Sequence, residues 1–306
     1  MKFSGHETFP IREGWLHKGM ALLMENPDRL AGDDAADWLG VGRNMAKSIR
    51  HWLQVTDLAE KDTTHAAGRR DMLVPTEFGD LVYARDPNFC QPGTWWALHA
   101  NLISDATRAT TWAWFFNGFN ATRFERSLCI HNLQRHLQLS SRKRVPSLRT
   151  LENDVSCLLQ SYARAIPAER VDPEEAFHCP LAELSLISHF RASGYYQMIH
   201  GVKDLPGELI GYTLSRAFAD AGDGRGKTDI TIEAATRTAG GPGRTFLLTN
   251  EAMFEQALQA EREIGSDAIE IAGLAGERVI RVRSDRPLAW LEAYYTREQQ
   301  RGCHAA

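Results

Sequence analysis

A helix, a tight glycine turn and a second helix follow one another within residues 33–56, and this succession constrains the fold most. Residues 35–39 predict a short helix that Asp33 or Asp34 can cap, and Gly40-Val41-Gly42 ends it. Residues 43–53 then predict a helix with its apolar side chains on one face. Residues 58–74 predict an irregular or hairpin stretch with an exposed loop and a returning strand. Together these segments predict a winged helix-turn-helix.

Helical periodicity dominates the rest of the chain, so the predicted fold class is mainly α. Residues 94–139 predict helices rich in Trp and Phe, which at this spacing fill a core more often than they stack on bases. Ser147 can cap a helix over 148–164. In the last hundred residues we predict helices at 205–219, 229–235, 250–264 (beginning with an Asn cap) and 287–297, and strands at 268–272 and 278–283.

These segments predict three domains. Residues 1–92 form an N-terminal winged-helix DNA-binding domain, and residues 93–200 a helical domain with a basic loop. Residues 201–306 form a second winged-helix-like unit with short β-hairpins, whose acidic third helix favours protein contacts or dimerisation over DNA.

Composition excludes several classes of protein. With 43% hydrophobic and 24% charged residues the 306-residue chain is globular rather than disordered. It has no long apolar run and no apolar signal core, which predicts a cytoplasmic protein without membrane contact. Five scattered cysteines argue against a disulfide framework or a zinc ribbon.

Two basic segments are candidate DNA contacts, although the net charge of −4 gives no whole-chain signature of nucleic-acid binding. The second predicted helix contains no acid and carries side chains that donate to base edges or phosphates: Arg43, Asn44, Lys47, Ser48 and Arg50. The second segment is the loop with Arg142, Lys143 and Arg144 just before the Ser147 cap. A solvated basic helix and a solvated linker are the alternatives.

Three side chains near the N-terminus could carry phosphodiester chemistry. His6, Glu7 and Arg12 place a base, a hard-oxygen ligand and a phosphate-binding group within seven residues. The acidic groups Asp33-Asp34-Asp37 and Asp229 with Glu233 could also bind a hard cation, but helix capping explains them as well. No acid stands two residues before any lysine, so the D/E-x-K step of restriction-type magnesium nucleases is absent.

The opening string, FSGHETFPIREGWL at residues 3–16, is the most distinctive in the chain. It resembles the start of an uncharacterised bacterial family that supplies the SspB-type DNA-nicking component of single-stranded DNA phosphorothioation and defence systems. Residues 151–162, 177–184 and 241–248 resemble recurring segments of the same family. The resemblance extends along most of the chain.

The resemblance implies a metal-dependent DNA nicking endonuclease that opens one strand for sulfur insertion. It implies partners in a cysteine desulfurase, an ATP-pyrophosphatase and an ATPase, and it carries over His6, Glu7 and Arg12 as candidate catalytic residues, with Glu7 as a ligand of Mg²⁺ or Mn²⁺. Duplex DNA binding follows from the residues themselves, whereas nicking rests on the resemblance. A non-catalytic DNA-binding adaptor and an all-α protein-interaction module are the alternatives, and a homodimer is a base-rate expectation.

Overall fold

The computed structural model describes residues 1–62, 72–140, 145–167, 179–219, 226–274, 276–283 and 286–305, with side chains to Arg301. The chain divides into two compact units, Met1–Ile199 and His200–Ala306. The predicted wing loop at 63–70 and the basic loop Arg142-Lys143-Arg144 lie outside the described residues. The three-domain division stays a prediction.

The first unit is mainly helical. Its described α-helices are α1 (Trp15–Glu25), α2 (Pro27–Ala31), α3 (Ala35–Leu39), α4 (Arg43–Val55), α5 (Glu77–Arg85), α6 (Pro92–Ser104), α7 (Thr110–Gly118), α8 (Arg126–Ser140) and α9 (Leu148–Tyr162). A 3₁₀ helix spans Pro180–Leu184. The mainly helical class is therefore confirmed.

Helix α4 packs its apolar face against α1 and α3 and begins right after the predicted glycine turn. Gly40 ends α3 in the left-handed conformation (φ 66°), which glycine adopts without strain. Gly19 lets α1 approach α4 closely, because a Cβ there would stand 2.7 Å from Ile49 Cγ2. The strands β1 (Ala59–Lys61) and β2 (Leu73–Pro75) then pair antiparallel. The order matches the sequence expectation, while the specific winged-helix arrangement stays a prediction.

The aromatic segment between α6 and α8 is core, as its spacing predicts. Rings that are almost entirely buried lie at Trp96, Trp112, Trp114, Phe115, Phe116, Phe119 and Phe124. Phe115 stacks on Phe119 with ring centroids 5.3 Å apart, and Phe119 meets Phe124 edge-on at 5.0 Å. Burying such rings contributes about 1.5–3 kcal/mol each. These rings are therefore not a base-stacking surface.

A four-stranded sheet in the first unit was not predicted. Its strands are β3 (Arg123–Phe124), β4 (Ala163–Ile166), β5 (Ile187–Phe190) and β6 (Tyr195–Met198), in the order β3-β6-β5-β4. Only the β4–β5 pair is parallel. This sheet departs from the helical periodicity that dominates the sequence, because the pairing of β5 with β6 and β4 decides the local structure here. The helix predicted over 148–164 accordingly ends at Tyr162, where β4 begins.

The second unit packs helices beside a three-stranded antiparallel sheet of order β7-β9-β8. Its described elements are α10 (Gly207–Ala217), β7 (Lys227–Thr231), α11 (Ile232–Arg237), α12 (Pro242–Phe246), α13 (Asn250–Ile264), β8 (Ile269–Leu274), β9 (Glu277–Arg283) and α14 (Pro287–Ala305).

Two details of the second unit correct the sequence expectations. The helix predicted over 229–235 begins only at Ile232, because the β-branched residues before it pair with β9 as β7. The N-cap of α13 is Thr249, whose side chain accepts from the Ala252 N–H, rather than Asn250.

No helix in the described part of the chain is both long and apolar enough to cross a bilayer.

Candidate functional site

The opening motif folds into a compact turn held by a buried carboxylate on α9. Oδ1 of Asp154 accepts from the Ser4 N–H at 2.9 Å and from His6 Nε2 at 3.0 Å, and Oδ2 accepts from Thr111 Oγ1 at 3.0 Å. Ser4, Glu7 and Thr8 have positive φ angles of 57°, 49° and 68°. The motif is therefore joined to α7 and α9 by specific polar contacts.

Both ring nitrogens of His6 are engaged. The Thr8 N–H donates to Nδ1 at 3.0 Å, so Nδ1 carries the lone pair and Nε2 carries the proton that it donates to Asp154. The side chain is buried, with the Trp112 ring 5.5 Å away. His6 therefore holds the motif in place, and in this conformation it has no nitrogen available to take a proton from water.

Gly5 and His51 pack against each other beside this motif. A Cβ at position 5 would clash with the His51 ring, so any larger residue there would displace that ring. His51 is buried, and its Nδ1 has no hydrogen-bond partner in the described part of the chain. Burial first, and then the positive charge of Lys2, lower the pKa of His51 well below its usual 6.5.

The side chains of Glu7 and Arg12 have different surroundings. Glu7 is half-buried and does not line the cleft described next. The Arg12 guanidinium lies 5.5 Å from the ring centroids of both Phe9 and Trp15, in cation–π range. Of the predicted trio of His6, Glu7 and Arg12, only Arg12 lines that cleft, and the catalytic roles of the three stay predictions.

Arg12 lines a cleft of about 430 Å³ between the start of α1 and the turn that precedes α6. His17, Phe89, Trp95 and Glu183 also line it. The buried carboxylate of Asp86 shapes this wall by accepting from Cys90 N–H, Gln91 N–H and Thr94 Oγ1 at 2.7–3.0 Å. Trp95 Nε1 donates to the Phe89 carbonyl at 2.9 Å. The cleft combines a cation, an imidazole and two aromatic rings on a rigid wall.

His17 is the cleft residue that sequence reasoning missed. Its Nδ1 lies 2.9 Å from the Pro87 carbonyl oxygen, which can only accept, so Nδ1 carries the proton. The lone pair is then on Nε2, the tautomer that a general base requires. His17 lies one residue beyond the distinctive string, in the first turn of α1, and that position was the only available signal.

The described residues do not form a preassembled metal site. No three His, Cys, Asp or Glu side chains among them converge closely enough to hold an ion. Asp34 accepts from Trp38 Nε1 at 3.0 Å, and Asp229 receives two hydrogen bonds from Arg281 at 2.8 and 3.0 Å. The same Arg281 lowers the pKa of Asp229. Two of the carboxylates named as alternative ligands, Asp34 and Asp229, are therefore held by neighbouring side chains.

The basic face of α4 is partly as predicted. Arg43, Asn44 and Lys47 are exposed, and Arg50 is half-buried. Ser48 is fully buried, with Oγ 3.5 Å from the Phe9 carbonyl oxygen, so its hydroxyl does not reach solvent or a phosphate. Ser48 packs α4 against the opening motif instead. The exposed face keeps three of the five predicted donors.

The basic loop Arg142-Lys143-Arg144 lies outside the described residues, but its surroundings are described. Helix α8 ends at Ser140, and Ser147 caps α9 by accepting from the Thr150 N–H at 3.2 Å. The Ser147 cap is confirmed.

The chain matches one family model over residues 3–295, and that model describes a protein of unknown function, DUF4007. The chain belongs to the DUF4007 family. Two SspB crystal structures resemble this DUF4007 chain. A magnesium-bound one has a TM-score of 0.84 and 25% identity, and it covers 96% of this chain and 88% of that chain. The other has a TM-score of 0.80 and 26% identity with the same coverage. No curated protein matches the DUF4007 chain.

Proposed function

We propose that this protein is the DNA-nicking component of a bacterial DNA phosphorothioation system. The similarity to SspB over 96% of the chain carries this proposal. The cysteine desulfurase, ATP-pyrophosphatase and ATPase implied by the sequence resemblance are its proposed partners, and duplex DNA is its proposed substrate.

The exposed face of α4 is the proposed duplex contact. Arg43 and Lys47 are one turn apart on a helix without acids, so their cations can bind successive phosphates while Asn44 reaches a base edge. The exposed carboxylates Asp33, Asp34 and Asp37 lie just before this helix and repel phosphate. They favour an approach of DNA from the α4 side.

The cleft is the proposed nicking site. His17 Nε2 would take a proton from water as the water oxygen forms a bond to phosphorus and one phosphorus–oxygen ester bond breaks, the leaving oxygen taking its proton from solvent. Arg12 would bind the non-bridging phosphate oxygens, where negative charge develops. The dependence on Mg²⁺ or Mn²⁺ stays a prediction, because the described residues do not form a preassembled metal site.

A non-catalytic DNA-binding adaptor is the second candidate. The fully hydrogen-bonded state of His6 favours it, because the residue that the resemblance carries over as a catalytic candidate holds the fold together instead. The same α4 face would bind DNA in this case, and partner proteins would do the chemistry.

The deciding experiment incubates the purified full-length protein with supercoiled plasmid, with and without Mg²⁺ or Mn²⁺. Wild type is compared with His17→Gln, Arg12→Ala and Glu7→Gln, and with His131→Gln as a control at an exposed histidine of α8. Open circles from wild type and the control, but not from His17→Gln or Arg12→Ala, are expected. Nicking lost only in Glu7→Gln would move the site to the opening motif, and binding without nicking in wild type would support the adaptor.

A further inference from the structure

One face of the four-stranded sheet, here the outer face, is exposed to solvent. Strand alternation places Tyr195, Phe190 and Ile166 in one row across β6, β5 and β4. The neighbouring row on the same face includes Arg123, Gln197 and Arg164. This face has an aromatic–apolar row beside a row with an arginine at each end.

The two faces of this sheet differ in how deeply their side chains are buried. On the inner face Phe124, Ile187 and Met198 are at most 3% exposed, and α9 packs against β5. On the outer face the Arg164 side chain is 54% exposed and Ile166 is 43% exposed, while Phe190, Tyr195 and Gln197 are half-buried. The outer face therefore keeps ring surface within reach of a ligand.

The charges on this face favour an anionic ligand. The Arg123 guanidinium lies over the Tyr195 ring, 4.7 Å from its centroid, in a cation–π contact. At the other edge Arg164 Nη1 donates to Ser185 Oγ at 3.0 Å and lies 3.9 Å from Glu183 Oε2. Exposed Arg191 lies in the turn between β5 and β6. Arginine thus stands on both sides of the half-buried rings.

The outer face also adjoins the cleft. Glu183, which contacts Arg164, is itself a lining residue of the cleft that holds Arg12 and His17. A chain that leaves the cleft past Glu183 therefore reaches the outer face at Arg164. Both features belong to the first unit, so their adjacency does not depend on the second.

We propose that the outer face binds single-stranded DNA. Unpaired bases stack on Tyr195 and Phe190, and the backbone phosphates contact Arg123 and Arg164. Duplex DNA hides its base faces and does not fit a surface of this kind, whereas a strand released beside a nick does. The proposal rests on the proposed function, because that function supplies the unpaired strand.

The test uses fluorescence anisotropy with a labelled 12-nucleotide oligo-dT and, separately, a labelled 20-base-pair duplex. Phe190→Leu/Tyr195→Leu keeps a large apolar side chain at both positions but removes the rings. Tyr83→Leu on α5 is the control, because it also replaces a half-buried tyrosine. The double variant is expected to bind oligo-dT at least about tenfold more weakly than wild type and the control, because each ring loses a stacked base. Its duplex affinity is expected to stay within about twofold, because no groove contact is removed.

A second variant separates stacking from charge. Arg123→Ala/Arg164→Ala is expected to reduce the slope of log affinity for oligo-dT against log salt by about 1.4, the value for two phosphate contacts on a single strand. Unchanged oligo-dT affinity in the ring variant, with its circular dichroism spectrum intact, would overturn the proposal. Wild-type protein that binds the duplex but not oligo-dT would overturn this proposal and leave the duplex contact on α4 standing. Oligo-dT binding without duplex binding would support it and overturn the duplex contact on α4.

Discussion

Nε2 of His6 donates a hydrogen bond of 3.0 Å to Oδ1 of Asp154, a residue 148 positions later in the chain. This hydrogen bond fixes the opening motif to α9. A string rich in chemically active side chains thus anchors the N-terminus on α7 and α9, while Arg12 from the same string lines the cleft together with His17.

Replacing Asp154 is expected to destabilise the first unit. Asp154→Ala leaves the Ser4 N–H, the His6 Nε2–H and the Thr111 hydroxyl without their acceptor. This costs about 2 kcal/mol or more, at 1–3 kcal/mol for each of the two buried donors, His6 and Thr111. Asp154→Asn keeps one acceptor oxygen and should lose less. Urea unfolding followed by tryptophan fluorescence measures both, with exposed Gln138→Ala as the control. Equal stability of Asp154→Ala and the control would contradict the anchoring role.

The stability of the first unit is expected to fall as the pH drops below about 6.5, partly because of His51. Burial keeps the folded-state pKa of His51 well below the unfolded value, so below that value the unfolded chain binds a proton that the folded chain does not. The stability due to neutral His51 is therefore present above pH 6.5 and is lost as the pH falls toward the folded pKa. Because His51→Leu cannot titrate, unfolding of both proteins from pH 8 to pH 5 should show wild type losing stability faster, and parallel profiles would exclude this contribution.

The α4 contact predicts a change in salt dependence. Arg43→Ala/Asn44→Ala/Lys47→Ala should weaken duplex binding and reduce the slope of log affinity against log salt by about 1.8, since two phosphate contacts are lost. Arg262→Ala/Arg301→Ala removes the same charge from exposed positions of the second unit and is the control. An unchanged slope in the triple variant would exclude α4 as the duplex contact.

In the second unit, the buried carboxyl group of Glu208 is expected to need Arg297 as its ion-pair partner. Arg297 Nη2 lies 2.8 Å from Oε2 of Glu208, whose side chain is 2% exposed, and burial raises the pKa of Glu208 although Arg297 opposes the shift. Arg297→Met should cost about 3–5 kcal/mol, because it leaves a buried charge without its partner. Since a protonated Glu208 needs no cation, the loss should be smaller at pH 5 than at pH 8. Chemical denaturation at both pH values, with exposed Arg301→Ala as the control, tests this, and a loss independent of pH would assign it to packing.

Local spacing predicted several elements closely. Residues 35–39 and 250–264 were predicted as helices and are α3 and α13, and the Ser147 cap was placed correctly. The backbone hydrogen bonds of a helix join residues four apart, and N-cap hydrogen bonds join residues three apart. A short stretch of sequence therefore contains both partners of each bond. The aromatic core between α6 and α8 was recognisable for the same reason.

The sequence by itself determined the mainly helical class, the helices with strong periodicity, the exposed basic residues of α4 and the resemblance to an SspB-type family. Only the tertiary structure decided that His6 is an anchor, that Ser48 is buried, that His17 and Arg12 line one cleft, and that β4, β5 and β6 form a sheet. Helical turns satisfy their own backbone groups locally, whereas a strand or a buried imidazole is defined by a partner that the sequence places tens to hundreds of residues away.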